Sequence, residues 1–198
     1  MTVRDYAAGD AMKYIQWKAS AREQKLKTRN MTGEEHRGLL LFYDTGRYAE
    51  DPYAYLPIEN QILEIVLGTG YFFAGQNVKF EVLYHQSTLH RVNVEGAGDY
   101  DAFYREAAQT VFDKNESGCA GFTELIRQGA FTDKKAVIAV LGRIDEELMA
   151  AAEGLAMTGV TVILYIVTYE NIERYQKEKS SRLHILAVPV YEDLEEWL

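Results

Sequence analysis

The 198-residue chain has one cysteine, Cys119. That excludes an internal disulfide framework and suits a reducing compartment. Its four histidines, His36, His85, His90 and His184, are scattered, and with a single cysteine they offer no zinc-ligand spacing. No G-x-G-x-x-G opens a helix after a strand, since Gly68, Gly70 and Gly75 fall within or at the end of a helical pattern. Repeats and low-complexity tracts are missing, and no signal peptide is expected in the sequence as given. The longest apolar stretch, Val160 to Val167, is far shorter than the about 20 residues a bilayer requires. As given, the chain is expected to be soluble and cytoplasmic.

Basic residues are in the minority, 21 Lys/Arg against 30 Asp/Glu, for a net charge of −9. The shortage is uneven. Residues 1–30 hold seven Lys/Arg and three Asp/Glu, a net of +4, and the rest holds fourteen against 27, a net of −13. Such a chain carries a basic arm. The arm either packs on its own acidic domain or meets an anionic partner. Nucleic acid is not expected, because the acidic part would repel phosphates. The remaining composition, 47% hydrophobic and 26% charged, is that of a folded protein with one substantial core.

What is present is organised around Arg37 to Tyr48. Leu39 to Tyr43 run without a polar break and end on Asp44, which reads as a central strand buried on both faces. Ala136 to Leu141, Val160 to Val167 and Leu183 to Val188 read the same way. Between them the spacing predicts helices over Ile58 to Phe73, Asp99 to Phe112, Phe122 to Gln128, from Asp145 as cap to about Met157, and over Glu170 to Lys179. Val78 to Tyr84 and Leu89 to Val94 alternate and form a β-hairpin. Tyr191, Leu194 and Trp197 give a C-terminal helix an apolar face. In the arm, Asp10 can cap a helix from Ala11 to about Arg22, and Lys25 to Arg29 alternate like an edge strand. This order implies an α/β fold with a mostly parallel sheet, helices on both faces and one antiparallel edge strand. Ligands of such sheets bind at the carboxyl ends of the strands, which here means the exit at Asp44.

The order of elements, with a buried strand ending in Asp, resembles the von Willebrand factor A domain, a Rossmann-like fold. The first residues narrow this further. Val3, Arg4, Tyr6, Gly9 and Asp10, then Ile15, Trp17, Lys18, Ser20, Ala21 and Arg22, match the ordered signature V-R-x-Y-x-x-G-D and x-I-x-W-K-x-S-A-R. That signature is similar to the bacterial family called domain of unknown function fifty-eight; Lys13 departs from it, where the family usually has Arg. The resemblance implies residues 1–35 as a signature arm and 36–198 as the von Willebrand factor A-like domain. It implies a non-enzymatic protein-interaction domain, a scaffold or adaptor working with a MoxR-type AAA+ ATPase in assembly or maturation of other proteins. It also implies a longer protein anchored to the bacterial inner membrane, of which this chain is a C-terminal part. The binding residues it points to in the arm are Arg4, Tyr6, Gly9, Asp10, Trp17, Lys18, Ser20 and Arg22. Taken by themselves, Asp10 reads as a helix cap, Trp17 as a docking anchor, and Lys18 and Arg22 share a helical face.

Von Willebrand factor A domains often hold a divalent metal through D-x-S-x-S, a Thr from a later loop and an Asp after a later strand. Here the pattern is Asp44, Thr45, Gly46, Arg47 and Tyr48. Both Ser positions lack a short hydroxyl, the Asp position falls near Gly142 with Arg143 next to it, and the Thr position near Cys119 or Ala120. Mg²⁺ needs near-octahedral oxygen ligation. A degenerate site and no cofactor are therefore expected, with Asp44 pairing with Arg47 or Arg143 or accepting backbone N–H groups. The binding face stays at the strand ends, around Asp44, Arg47, Tyr48 and Tyr53, with Tyr55 and Asp51 beside them. The alternative is a metal-dependent, Mg²⁺-using adhesion-type module centred on Asp44. A phosphatase-like hydrolase comes third: it shares a strand ending D-T-G, but its general acid would fall on Gly46. Cys119 would need a His base that the spacing does not supply.

Overall fold

The computed structural model of the chain describes residues 2–5, 20, 22, 25, 27–30, 38–115, 118–173, 175 and 181–190. It divides into two units, Met1–Arg37 and Gly38–Leu198.

In the first unit, β1 (Thr2–Asp5) pairs antiparallel with β2 (Lys27–Asn30), Thr2 opposite Asn30 and Asp5 opposite Lys27. Of the stretch Lys25 to Arg29 expected as an edge strand, Lys27 to Arg29 belong to this two-stranded ribbon and Lys25 lies outside it. Ser20 and Arg22 are helical. The remainder of the expected arm helix, with Tyr6, Gly9, Asp10, Trp17 and Lys18, lies outside the described residues.

The second unit is built on β3 (Leu39–Tyr43), whose five side chains are all aliphatic or aromatic. Its parallel neighbours are β4 (Phe80–Gln86) and β6 (Ala136–Leu141). β5 (Thr88–Val94) closes one edge, antiparallel to β4. β7 (Thr161–Thr168) and β8 (Leu183–Pro189) extend the other side in parallel. The strand order is β5-β4-β3-β6-β7-β8. The hairpin turn is tighter than the spacing suggested. Gln86 faces Thr88, and Ser87 alone makes the reversal at φ 62°.

Four described helices cover the sheet: α1 (Pro52–Gly75), α2 (Ala97–Ala107), α3 (Gly118–Arg127) and α4 (Glu146–Met157). The period-2 geometry of β3 divides the core. Leu40 and Phe42 join Phe122, Ile126, Leu148 and Ala152 of α3 and α4. Leu41 and Tyr43 join Ile62, Val66, Phe103 and Ala107 of α1 and α2. Among the described residues, no helix is long and apolar enough to cross a membrane.

Several boundaries differ from the sequence expectation, each for a physical reason. α1 begins at Pro52 rather than Ile58, because Asp51 caps it by accepting the Tyr53 N–H at 3.0 Å and Pro52 occupies the first turn. Pro57 is then inside the helix, and the bond it forgoes is to the carbonyl of Tyr53, an 89% exposed residue that solvent serves. α2 stops at Ala107 instead of Phe112. Beyond it the chain runs beside the exit of β3, where Asp113 N–H donates to Thr45 O and Arg47 N–H to Asp113 O. Thr110 Oγ1 lies 2.9 Å from the buried Tyr43 hydroxyl, which holds that segment down. α3 starts at Gly118, earlier than Phe122. The exposed helix expected from Glu170 is not formed where described: Asn171 and Ile172 are irregular, and Ile172 and Tyr175 are buried in the core. Most of its remainder, and the C-terminal helix, lie outside the described residues.

Candidate functional site

Asp44 follows β3 directly, and its N–H donates to Val140 O at 2.9 Å, so its carboxylate stands where β3 and β6 end side by side. Thr45, also fully buried, donates its hydroxyl to the carbonyl of His85, tying this exit to the end of β4. The Asp44 side chain has no exposed surface. Its Oδ1 accepts the Gly46 N–H at 2.7 Å, and its Oδ2 accepts the Gly142 N–H at 3.1 Å and the Tyr48 hydroxyl at 2.6 Å. The Tyr48 oxygen in turn accepts the Cys119 N–H at 3.1 Å, at the start of α3. Three chain segments thus meet on one carboxylate and one phenol.

Burial dominates the electrostatics. Removal from water pushes Asp44 up to about 6, against the opposing pull of the Tyr48 hydroxyl, the two N–H groups and the positive charge of Arg143. Burial also raises Tyr48, with Asp44 adding to the shift. The Cys119 thiol is pushed up to about 12 by burial, then by Asp145 and Asp44. That is the opposite of what a thiolate nucleophile requires. Its sulfur lies 3.9 Å from Asp145 Oδ2, and no described histidine contacts it.

Arg47 does not pair with Asp44. It makes a two-pronged ion pair with the buried Glu59 on α1, Nε to Oε1 at 2.6 Å and Nη2 to Oε2 at 3.1 Å. Its guanidinium also lies 3.9 Å from the centre of the Tyr55 ring. Arg143 forms no hydrogen bond to Asp44 and acts on it through space. Of the expected interaction face, Tyr53 is on the surface, while Tyr48 turns its hydroxyl inward and shows only part of its ring. Beside that ring lies a cavity of about 670 Å³, lined among others by Ile58, Arg143, Asp145, Glu170 and Tyr175. In the arm, Ser20 is buried and its hydroxyl accepts the Lys27 N–H at 2.8 Å, which makes it a brace for β2. Arg22 is exposed, and Arg4 sits within β1.

The residues at the strand ends do not fit a divalent cation. Both Asp44 oxygens already accept internal donors, and the hydroxyl-bearing neighbour is a phenol that spends its proton on Asp44. Among the described residues, no group of three or more His, Cys, Asp or Glu could hold a metal ion. The sequence reading missed Glu59, because nothing local links it to Arg47, and Gly118, which has no side chain to signal a role.

No protein-family model matches the chain, and no curated protein matches it by sequence. Solved structures do match. The SpRpn10 VWA domain superposes with a TM-score of 0.52 at 12% identity, covering 80% of this chain and 90% of that one. Proximal thread matrix protein 1 from the mussel byssus gives 0.54 at 14% identity over 77% of this chain and 43% of its own. The manganese-loaded Plasmodium vivax TRAP protein gives 0.52 at 8% identity, over 77% and 69%. The fold is von Willebrand factor A-like.

Proposed function

We propose that this chain is a non-enzymatic protein-interaction domain whose docking face lies at the carboxyl ends of the parallel strands. The observation that carries the reading is the closed state of Asp44. The Asp44 carboxylate at the sheet's switch point is consumed by internal donors, while the cavity and exposed Tyr53 beside it remain open. Such a face offers surface and shape rather than a reactive group. The resemblance of Val3 to Arg22 to the bacterial signature extends this to a scaffold or adaptor that works with a MoxR-type AAA+ ATPase at the cytoplasmic side of the inner membrane.

The test is binding of the purified chain to a MoxR-type ATPase from the same genome, by biolayer interferometry. Wild type should bind, and Tyr53→Ala or Arg143→Ala should weaken the complex about tenfold, the loss typical of an interface residue worth about 1.4 kcal/mol. Saturable turnover of an aryl phosphate, with no binding, would sink the reading in favour of a hydrolase.

A further inference from the structure

Three glycines surround one tyrosine. A side chain at Gly46 would put its Cβ 2.9 Å from the Tyr48 hydroxyl oxygen, and one at Gly142 would put it 3.0 Å from the Tyr48 ring. A Cβ at Gly118 would collide with both Asp44 Oδ1 and the Tyr48 oxygen. These glycines lie on three separate segments, after β3, at the start of α3 and after β6. Gly46 and Gly142 fall where the metal-binding pattern has a Ser and an Asp, and Gly118 borders the place of the Thr. The missing side chains are therefore not scattered losses. Together they form the seat in which the phenol reaches Asp44.

We infer that Tyr48 is a built-in replacement for a bound cation, its hydroxyl joining the Asp44 carboxylate to the first turn of α3 and so holding the three segments together without an ion. The phenol does this by donating to Asp44 Oδ2 and accepting from Cys119 N–H at the same time. A cation entering this place would have to displace the ring from the three glycines and take over both Asp44 oxygens. The Arg143 charge facing Asp44 opposes that exchange further. The latch also sets one wall of the neighbouring cavity, because the Tyr48 ring lines it. The inference stands on the site's own geometry, whichever partner docks above it.

The test uses the full chain as wild type, Tyr48→Phe, Asp44→Asn and the double variant, each unfolded thermally with Mn²⁺, Mg²⁺ or EDTA. Wild type should show the same midpoint in all three. Tyr48→Phe keeps the ring and removes only the hydroxyl, and should lower the midpoint by roughly 5 °C. In the Asp44→Asn background the same change should cost less, since a neutral amide oxygen accepts the phenol more weakly than a carboxylate does. Amide exchange at Cys119 should quicken in Tyr48→Phe. A Mn²⁺-dependent rise in the wild-type midpoint that vanishes in Asp44→Asn would overturn the inference. So would an equal loss in both backgrounds. Should Asp44→Asn not fold, calorimetry of Mn²⁺ on wild type decides: saturable heat refutes the latch and no heat supports it.

Discussion

Asp44 carries a pH signature. Its folded value, about 6, lies above the ordinary carboxylate value of 3.8. The sign follows from linkage: the folded state holds the proton more tightly than the unfolded chain. The contribution of Asp44 to stability is thus fully present below about pH 4 and is lost as pH rises through about 6. A difference of that size is worth roughly 3 kcal/mol. The groups facing Asp44 are Tyr48, Cys119 and Arg143, and the first two are both raised by burial. The midpoint of wild type should therefore fall relative to that of Asp44→Asn as pH rises from 4 to 8, since the Asn variant lacks this titration. A rise of wild type relative to the Asn variant would mean that Asp44 is stabilised as the carboxylate. Gly118 gives a second test. It sits at φ +34° with no room for a Cβ, whereas Gly129, at φ +75°, has only Thr132 Cγ2 near, at 3.9 Å. Gly118→Ala should cost about 3 kcal/mol in urea unfolding and Gly129→Ala about 1 kcal/mol, separating collision from backbone strain.

Between elements, two contacts tie the segments beside the exit of β3 in place. The Arg47–Glu59 pair fastens the loop after β3 to α1, with Arg47 about a quarter exposed and Glu59 nearly buried. Glu59→Gln should cost roughly 1–2 kcal/mol, less than a fully buried pair because solvent screens the Arg47 side. Denaturation at high salt should leave most of that difference in place. The Tyr43–Thr110 bond holds the segment after α2 in place of a longer helix. Thr110→Val should cost about 1–2 kcal/mol by stranding a buried phenol, and adding Tyr43→Phe should recover much of it. The second contact also marks a place where a helix limit was illegible in the sequence. The period of Asp99 to Phe112 continues past Ala107, and only partners from β3 stop it.

For the whole molecule, both described core clusters draw solely on residues after Arg37. A fragment spanning Gly38–Leu198 should therefore fold alone, with a cooperative thermal transition close to that of the full chain. Loss of that transition on removing the arm would show that the arm completes the core. The same residues carry 13 Lys/Arg and 25 Asp/Glu, a net of −12. A partner docking on them should meet them with a basic face, and its association rate should fall about tenfold from low to high salt.

The amino-acid order by itself determined the sheet. Uninterrupted apolar runs at Leu39 to Tyr43 and Ala136 to Leu141 have the length and composition of strands in a covered parallel sheet, and Asp145 before an apolar-periodic stretch announces α4, accepting the Leu148 N–H at 2.8 Å. Local chemistry suffices there because burial period and caps act within one element. The state of the site was decided by tertiary structure alone. Gly118 and Gly142 are far along the chain from Asp44 and Tyr48, and neither glycine has a distinctive local pattern. That a glycine is a seat, or a tyrosine a latch, depends on which distant segment fills the space beside it. The exit of β3 brings them together only after the sheet has formed.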